Sequence, residues 1–130
     1  NLTSNVIQAF GVGKDISFKV HAKDVLLDVE TAMPCGLIVN ELLTNSLKYA
    51  FPNGFEKEPK ITVMLKNENN VITILVSDNG VGLPVDFDWE NTDSLGLKLV
   101  NFWVKYQLAG SITVDLDAGT RYNISFNYDK

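Results

Sequence analysis

The sequence predicts a two-layer α/β (α+β) sandwich in which helices cover one face of a mixed, largely antiparallel sheet. Two pairs of strand-like runs are each separated by a short polar turn, which favours antiparallel hairpins. Two longer segments carry an apolar side at helical spacing, and such a side must be buried against another element. The 130 residues, 45% hydrophobic and 21% charged, suit one domain with its own core.

The first elements are predicted from the spacing of apolar residues. Asn1 to Phe10 has helical spacing and is followed by two glycines, so we expect a short helix there. Asp15 to His21 alternates apolar and polar residues, as a half-buried strand does. Val25 to Asp28 is expected to form a short extended piece before the next helix.

The longest predicted helix runs from Thr31 to Phe51. Thr31 can cap its start, and Pro34 is placed in the first turn, where its missing N–H costs little. The stretch Pro52-Asn53-Gly54 ends it. One side of this helix gathers the apolar residues Val39, Leu43, Leu47 and Ala50.

A polar stripe follows the opposite side of the same helix. Since an α-helix turns about 100° per residue, Glu41, Asn45 and Lys48 fall within about one-sixth of its circumference. A carboxylate, an amide and an ammonium in one row can act on a single ligand. The row is also consistent with a solvated face that holds one weakly stabilising i,i+3 or i,i+4 pair.

The second half of the chain is predicted as two hairpins separated by a loop and a helix. The helix is expected from Leu95 to Leu108, with Ser94 as its cap. The four strands are expected at Ile61 to Lys66, Val71 to Val76, Ser111 to Leu116 and Tyr122 to Tyr128, with turns at Asn67 to Asn70 and Asp117 to Gly119.

Three further segments place glycine where a ligand can approach the backbone. The stretch from Asp78 to Pro84 (DNGVGLP) follows a predicted strand, so its carboxylate can be held by the sheet. Gly96 opens a helix, where free N–H groups suit phosphate. Gly119-Thr120-Arg121 enters the last strand. Each segment alone also fits an ordinary turn or helix start, and DNGVGLP lacks the oxygen spacing of a calcium loop.

Composition narrows the functional classes. The net charge is −5 and the basic residues are scattered, which argues against a nucleic-acid interface. The apolar runs are too short for a membrane span, and the first residues do not resemble a signal peptide. Cys35 is the only cysteine, so we expect a small buried residue in a reducing cytoplasm.

In order, the segments NELLTNSLKYA, DNGVGLP, SLGL and GTR resemble the motifs of the ATP-binding catalytic domain of sensor histidine kinases. That family belongs to the GHKL ATPase superfamily (Bergerat-type fold), with gyrase B, MutL and the heat-shock chaperone ATPases. The resemblance covers about Ile16 to Phe126 and is strongest for the branch with the HisKA_2-type dimerization module. It implies that ATP binds between the helices and a lid, which residues 83–94 would form around Phe87 and Trp89.

The resemblance implies a role for each motif residue. Asn45 would ligate Mg²⁺, Glu41 would orient or deprotonate the attacking group, and Lys48 would offset phosphate charge. Asp78 would accept the amino group of adenine. The remaining positions would be Gly80 and Gly82 beneath the base, Thr120 at its edge, and Leu95, Gly96 and Leu97 at the phosphates.

Partners and domain organisation also follow from the resemblance. The γ-phosphoryl group of ATP would pass to a histidine on a dimerization domain of the same or a sister chain, and then to a response regulator. Residues 1–12 would be the end of a linker helix from that domain, and 13–130 the ATP-binding catalytic domain. The isolated domain is expected to be a cytoplasmic monomer, inactive without its acceptor, and the complete kinase a homodimer that segments outside this chain can attach to a membrane.

Two features depart from the family pattern. Ser94 stands where many relatives have a further glycine, and His21, the only histidine, lies in a predicted strand without the context of an acceptor. Alternative functions therefore stay open. They are an ATP-binding or protein-interaction module without turnover, a serine kinase of the anti-sigma-factor type, and an ATP hydrolase with water as its acceptor.

Overall fold

Five strands form one mixed sheet in the computed structural model, which describes residues 17–22, 25–82 and 95–128. Along the sheet their order is β1-β2-β3-β5-β4. The first two strands are parallel and the other neighbours antiparallel, which confirms the predicted mixed, largely antiparallel sheet. The strands are β1 (Ser17–Ala22), β2 (Lys60–Glu68), β3 (Val71–Asp78), β4 (Ser111–Asp115) and β5 (Thr120–Asn127).

Two helices cover one face of this sheet. Helix α1 (Val29–Asn45) continues into a π-helical turn at Ser46–Ala50, and helix α2 (Leu95–Phe102) continues into one at Trp103–Gln107. The alternate residues of β3 are buried beneath them, and α1 also contacts α2. The core therefore lies between a helical layer and one side of the sheet, and the other side of the sheet is more open.

The predicted apolar side of α1 is confirmed. Val39, Leu43, Leu47 and Ala50 are all buried, and Ile38 and Leu42 widen this side. Each fully buried leucine or isoleucine contributes about 2 kcal/mol to stability. Cys35 is buried as expected, and burial raises the pKa of its thiol to about 11.

The predicted start of α1 is wrong by two residues. Asp28 is the cap, because its extended backbone lets the side chain accept a 2.9 Å hydrogen bond from the N–H of Thr31. Thr31 therefore lies inside the first turn and caps nothing. Pro34 consequently falls in the second turn, not the first, and residues 25–28 form no strand.

The β2–β3 hairpin turns more tightly than predicted. Its turn consists of Asn69 and Asn70, which have φ of 54° and 65°, so Glu68 pairs with Val71. Asparagine tolerates this left-handed backbone, which matches the twist of the strands. The four-residue turn predicted from polarity was too long, because polar Asn67 and Glu68 belong to β2.

The predicted helix at 95–108 is confirmed as α2 with its π-helical turn. The predicted helix Asn1–Phe10, the cap Ser94 and the segment 83–94 lie outside the described residues. Among the residues that are described, no helix is long and apolar enough to cross a membrane.

Substitution of the cap distinguishes the two assignments for the start of α1. Asp28→Ala removes the acceptor for the N–H of Thr31, so we expect the free energy of unfolding to fall by about 1 kcal/mol. Thr31→Ala keeps that N–H and should change the free energy of unfolding by less than about 0.5 kcal/mol. Urea denaturation followed by circular dichroism measures both, and a larger loss for Thr31→Ala would contradict the assignment.

Candidate functional site

The candidate site is centred on Asp78, a buried carboxylate at the end of β3. Oδ2 accepts a 2.7 Å hydrogen bond from the hydroxyl of Ser46. Oδ1 accepts from the N–H of Gly80 at 2.9 Å and of Thr120 at 3.2 Å. Because a buried carboxylate without partners is costly, these three donors are what hold Asp78 inside the core.

The buried polar side chains lie close together around Asp78. Among the described residues, the buried polar or charged ones are Ser46, Asp78 and Thr120, and the hydrogen bonds above join all three. They come from α1's π-helical turn, from β3 and from β5, whose register places Asp78 opposite Thr120. The predicted site residues Asp78, Gly80 and Thr120 are thus brought together. Ser46 is an additional residue that the sequence analysis missed.

The loop after Asp78 is fixed at both ends. Asn79 is hydrogen-bonded through its side chain to the N–H of Lys60 at 2.8 Å and to the carbonyl of Glu58 at 2.9 Å. The N–H of Val81 donates to the carbonyl of Ala50 at 3.0 Å. The loop therefore bridges the start of β2 and the end of the π-helical turn. The side chain of Asn79 therefore has a structural role, which the sequence analysis did not assign.

Two glycines are required by close backbone contacts in the site. A Cβ at Gly80 would overlap Ala50, against which the loop is packed. A Cβ at Gly119 would overlap the carbonyl oxygen of Asp78, and Gly119 also has φ of +94°. Gly82, with φ of +77°, lies next to Gly119. The predicted glycines Gly80 and Gly82 thus shape the surroundings of Asp78.

The polar stripe of α1 is only partly as predicted. Glu41 and Asn45 are half-buried and lie one turn apart on the α-helical part. Lys48 is exposed and lies in the π-helical turn. Because i→i+5 hydrogen bonds widen the turn, each residue there rotates by less than in an α-helix. The angular position of Lys48 about the helix axis therefore differs from the one that an ideal α-helix predicts.

A buried tyrosine lies near Asn45 and Asp78. Tyr122 lies on β5, two residues after Thr120, and is buried. The side chain of Asn45 is near its hydroxyl. Burial and the nearby Asp78 carboxylate raise the pKa of Tyr122 to about 12, although the neighbouring amide of Asn45 lowers it. The phenol is therefore protonated at neutral pH, close to both predicted ligand-binding side chains.

The start of α2 supplies the remaining predicted residues. Leu95 is exposed, Gly96 half-buried and Leu97 buried, all in the first turn. The N-terminal turn of a helix carries a partial positive charge, which suits an anion. His21 lies exposed on β1, as predicted.

The residues present fit adenine and a magnesium ion. Asp78 offers a fixed carboxylate acceptor for an exocyclic amine, and its donors leave it lone pairs for one more hydrogen bond. Asn45 offers a neutral amide oxygen, a ligand type suited to a hard cation.

Residues 30–130 match the family of histidine kinase-, DNA gyrase B- and HSP90-like ATPases. Sensor histidine kinase PdtaS of Mycobacterium tuberculosis (strain ATCC 25618 / H37Rv) is 32% identical over 87 residues, covering 67% of this chain and 17% of the relative. Blue-light-activated histidine kinase 2 of Erythrobacter litoralis is 35% identical over 85 residues, which cover 65% of this chain and 24% of the relative. The chain thus spans less than a quarter of each of these relatives.

Solved structures show the same fold. The histidine kinase domain of the Erythrobacter litoralis EL346 blue-light activated histidine kinase superposes with a TM-score of 0.86 at 31% identity, covering 97% of this chain and 57% of that one. The histidine kinase AdeS of Acinetobacter baumannii superposes with a TM-score of 0.75 at 15% identity, covering 99% of this chain and 64% of that one. The second likeness concerns the fold alone.

The hydrogen bond from Ser46 predicts a measurable contribution to stability. Ser46→Ala leaves Asp78 with two donors in place of three, so we expect the free energy of unfolding to fall by about 1–2 kcal/mol. Ser125→Ala is the matched control, since that hydroxyl lies exposed on β5, and it should cost less than about 0.5 kcal/mol. Urea denaturation measures the free energy of unfolding of both variants. Equal losses for Ser46→Ala and Ser125→Ala would show that the buried hydrogen bond adds no stability.

Proposed function

This chain belongs to the family of histidine kinase-, DNA gyrase B- and HSP90-like ATPases, and we propose that it is the ATP-binding catalytic domain of a two-component sensor histidine kinase. It binds ATP with Mg²⁺ and passes the γ-phosphoryl group to a histidine on a dimerization domain outside the chain. The observation that carries this proposal is the buried cluster of Ser46, Asp78 and Thr120, which holds one carboxylate ready for a further donor.

Asp78 selects the base in this proposal. Its carboxylate accepts a hydrogen bond from the 6-amino group of adenine, whereas guanine presents a carbonyl oxygen there and is repelled. Ser46, Gly80 and Thr120 fix the carboxylate, so the acceptor does not rotate when the base enters. Gly80 and Gly82 keep the floor of the pocket free of side chains.

The phosphates lie toward α1 and the start of α2. Asn45 would hold Mg²⁺ through its amide oxygen, and the ion supplies positive charge that offsets the triphosphate. Lys48, exposed on the next turn, and the N–H groups at Leu95, Gly96 and Leu97 contribute further positive potential. Sequence-distant groups thereby converge on one nucleotide.

Glu41 is proposed to prepare the acceptor. It lies one turn before Asn45 and is half-buried, so it can orient the attacking imidazole or accept the proton from the ring nitrogen that does not attack. The bond from γ-phosphorus to the bridging oxygen breaks, a bond to the histidine nitrogen forms, and ADP leaves. Positioning and charge neutralisation supply most of the catalysis in such transfers.

The partners of the complete protein follow from this function. We infer that the ATP-binding catalytic domain spans residues 13–130. The acceptor domain belongs to the same or a sister chain, the complete kinase is a cytoplasmic or membrane-attached homodimer, and a response regulator receives the phosphoryl group.

Labelled ATP tests binding and transfer together. With the matching dimerization fragment, the wild-type domain should label a histidine, and Asn45→Ala and Asp78→Ala should each reduce labelling by more than about tenfold. Asn123→Ala and Asp115→Ala change the same residue types at exposed positions of β5 and β4, and should leave labelling unchanged.

Each contrary outcome of this experiment identifies another function. Undiminished labelling with Asn45→Ala and Asp78→Ala would refute the proposed site. Calorimetric ATP binding without transfer to any acceptor would indicate a binding module. Labelled serine would indicate a protein-serine kinase, and phosphate release without an acceptor a hydrolase.

A further inference from the structure

The pairing of β2 with β3 ends in a pair that uses a side chain in place of a main-chain group. Lys60 and Asn79 continue this pairing, since the neighbouring pair is Ile61 with Asp78. The N–H of Asn79 donates to the carbonyl of Lys60 at 3.2 Å. In a hydrogen-bonded antiparallel pair the two residues exchange both N–H···O bonds. The N–H of Lys60 would therefore donate to the main-chain carbonyl of Asn79 if the strands continued.

The side chain of Asn79 takes the place of that carbonyl. Its Oδ1 accepts a 2.8 Å hydrogen bond from the N–H of Lys60, and its Nδ2 donates to the carbonyl of Glu58 at 2.9 Å. The amide thus uses both its acceptor and its donor on the backbone that leads into β2. Because the side chain satisfies Lys60, the main chain can leave the sheet directly after Asp78 without an unpaired N–H in β2.

The loop needs this early exit from the sheet to complete the base site. Gly80 packs so closely against Ala50 that a Cβ would overlap it, and its N–H donates to Oδ1 of Asp78 at 2.9 Å. The N–H of Val81 donates to the carbonyl of Ala50 at 3.0 Å. Within two residues the backbone passes from the sheet to the helical layer. If Asn79 continued the strand, the next N–H would follow β3 and would not reach the carboxylate.

The backbone that Asn79 holds is itself fixed by another strand. The N–H of Ser17, at the start of β1, donates to the carbonyl of Pro59 at 2.8 Å. Ser17 also lies opposite Lys60 in the parallel pairing of β1 with β2. Residues 58–60 are therefore bonded on one side to β1 and on the other to Asn79. The loop after β3 is attached to a support that the sheet holds in place.

Building on the proposed function, we propose that Asn79 is a positioning residue that sets the preference for adenine over guanine. Its amide holds the backbone so that the N–H of Gly80 fixes Asp78 in one orientation, facing the 6-amino group of adenine. A fixed acceptor meets the carbonyl oxygen of guanine, whereas a carboxylate that rotates can accept from the N1–H of guanine. Asn79 acts through Gly80 and Asp78, and its own side chain is occupied by the backbone of β2.

Loss of the amide tests the proposal. In Asn79→Ala the N–H of Lys60 loses its acceptor and the loop loses its attachment to β2. We expect the ratio of the Kd of GTP to the Kd of ATP, both with Mg²⁺, to fall about tenfold, because Asp78 no longer keeps one orientation. Calorimetric titration of the chain with each nucleotide measures the two constants. A purely structural role would weaken both nucleotides alike, and an unchanged ratio would overturn the proposal.

Asn67→Ala is the matched control for the loss of an asparagine that bonds to the backbone. Oδ1 of Asn67 accepts a 3.1 Å hydrogen bond from the N–H of Asn70, at the other end of the same two strands. Its removal should leave the ratio of the two Kd values within about twofold of wild type. An equal fall for Asn67→Ala and Asn79→Ala would mean that selectivity follows the stability of the hairpin, which would contradict the proposal.

A conservative variant separates the two hydrogen bonds of the amide. Asn79→Asp keeps an oxygen for the N–H of Lys60 but cannot donate to the carbonyl of Glu58. Its added charge acts on both triphosphates alike, so it cancels in the ratio. Since the oxygen is what replaces the carbonyl, the ratio should stay within about threefold of wild type. A loss of selectivity as large as in Asn79→Ala would overturn this explanation.

The wild-type chain distinguishes failure of this inference from failure of the proposed function. Absence of ATP binding to the folded chain refutes the proposed function itself. ATP binding with its preference over GTP retained in Asn79→Ala refutes only the role of Asn79. Should Asn79→Ala fail to fold, amide hydrogen exchange of the wild type decides, because the N–H groups of Lys60 and Gly80 should exchange slowly. Rapid exchange at either would overturn the inference.

Discussion

The carboxylate of Asp78 is the constraint on which the site depends. A charged or polar group inside an apolar core costs several kcal/mol unless its hydrogen bonds are satisfied, and here three donors satisfy it. Each donor comes from a different element, so the carboxylate can be buried only when α1, β5 and the loop after β3 are all in place. The site and the tertiary fold are therefore formed by the same contacts.

Strand register decides where that carboxylate points. Side chains alternate along β3, so a slip of one residue would move Asp78 to the open face of the sheet. The two-residue turn at Asn69 and Asn70 fixes β2 against β3, and Gly119 allows β5 to approach the backbone of Asp78 closely. These turn residues therefore help to determine the geometry of the site.

The sequence predicted the elements well, because the period of apolar residues is a local property. It located the apolar side of α1 and both hairpins, and it placed Asp78 at the end of a strand. It missed the cap Asp28 and the π-helical turn, since both depend on how the helix ends are packed. Ser46 and Tyr122 were also missed, because a serine or a tyrosine in an apolar segment cannot be distinguished by sequence from a residue that only packs in the core. The partner of Ser46, Asp78, is 32 residues away along the chain.

The concentration of polarity in one part of the core is itself an argument about function. A domain of this size gains nothing in stability from a buried carboxylate that an apolar residue could replace, since such replacements are often neutral or stabilising. Yet the chain surrounds Asp78 with two hydroxyl-bearing residues and two glycines that admit no Cβ. Stability alone does not explain so many constraints around one side chain, and local departures from an ideal core are typical of functional sites. The proposed adenine, which would donate to Asp78, supplies a reason for them.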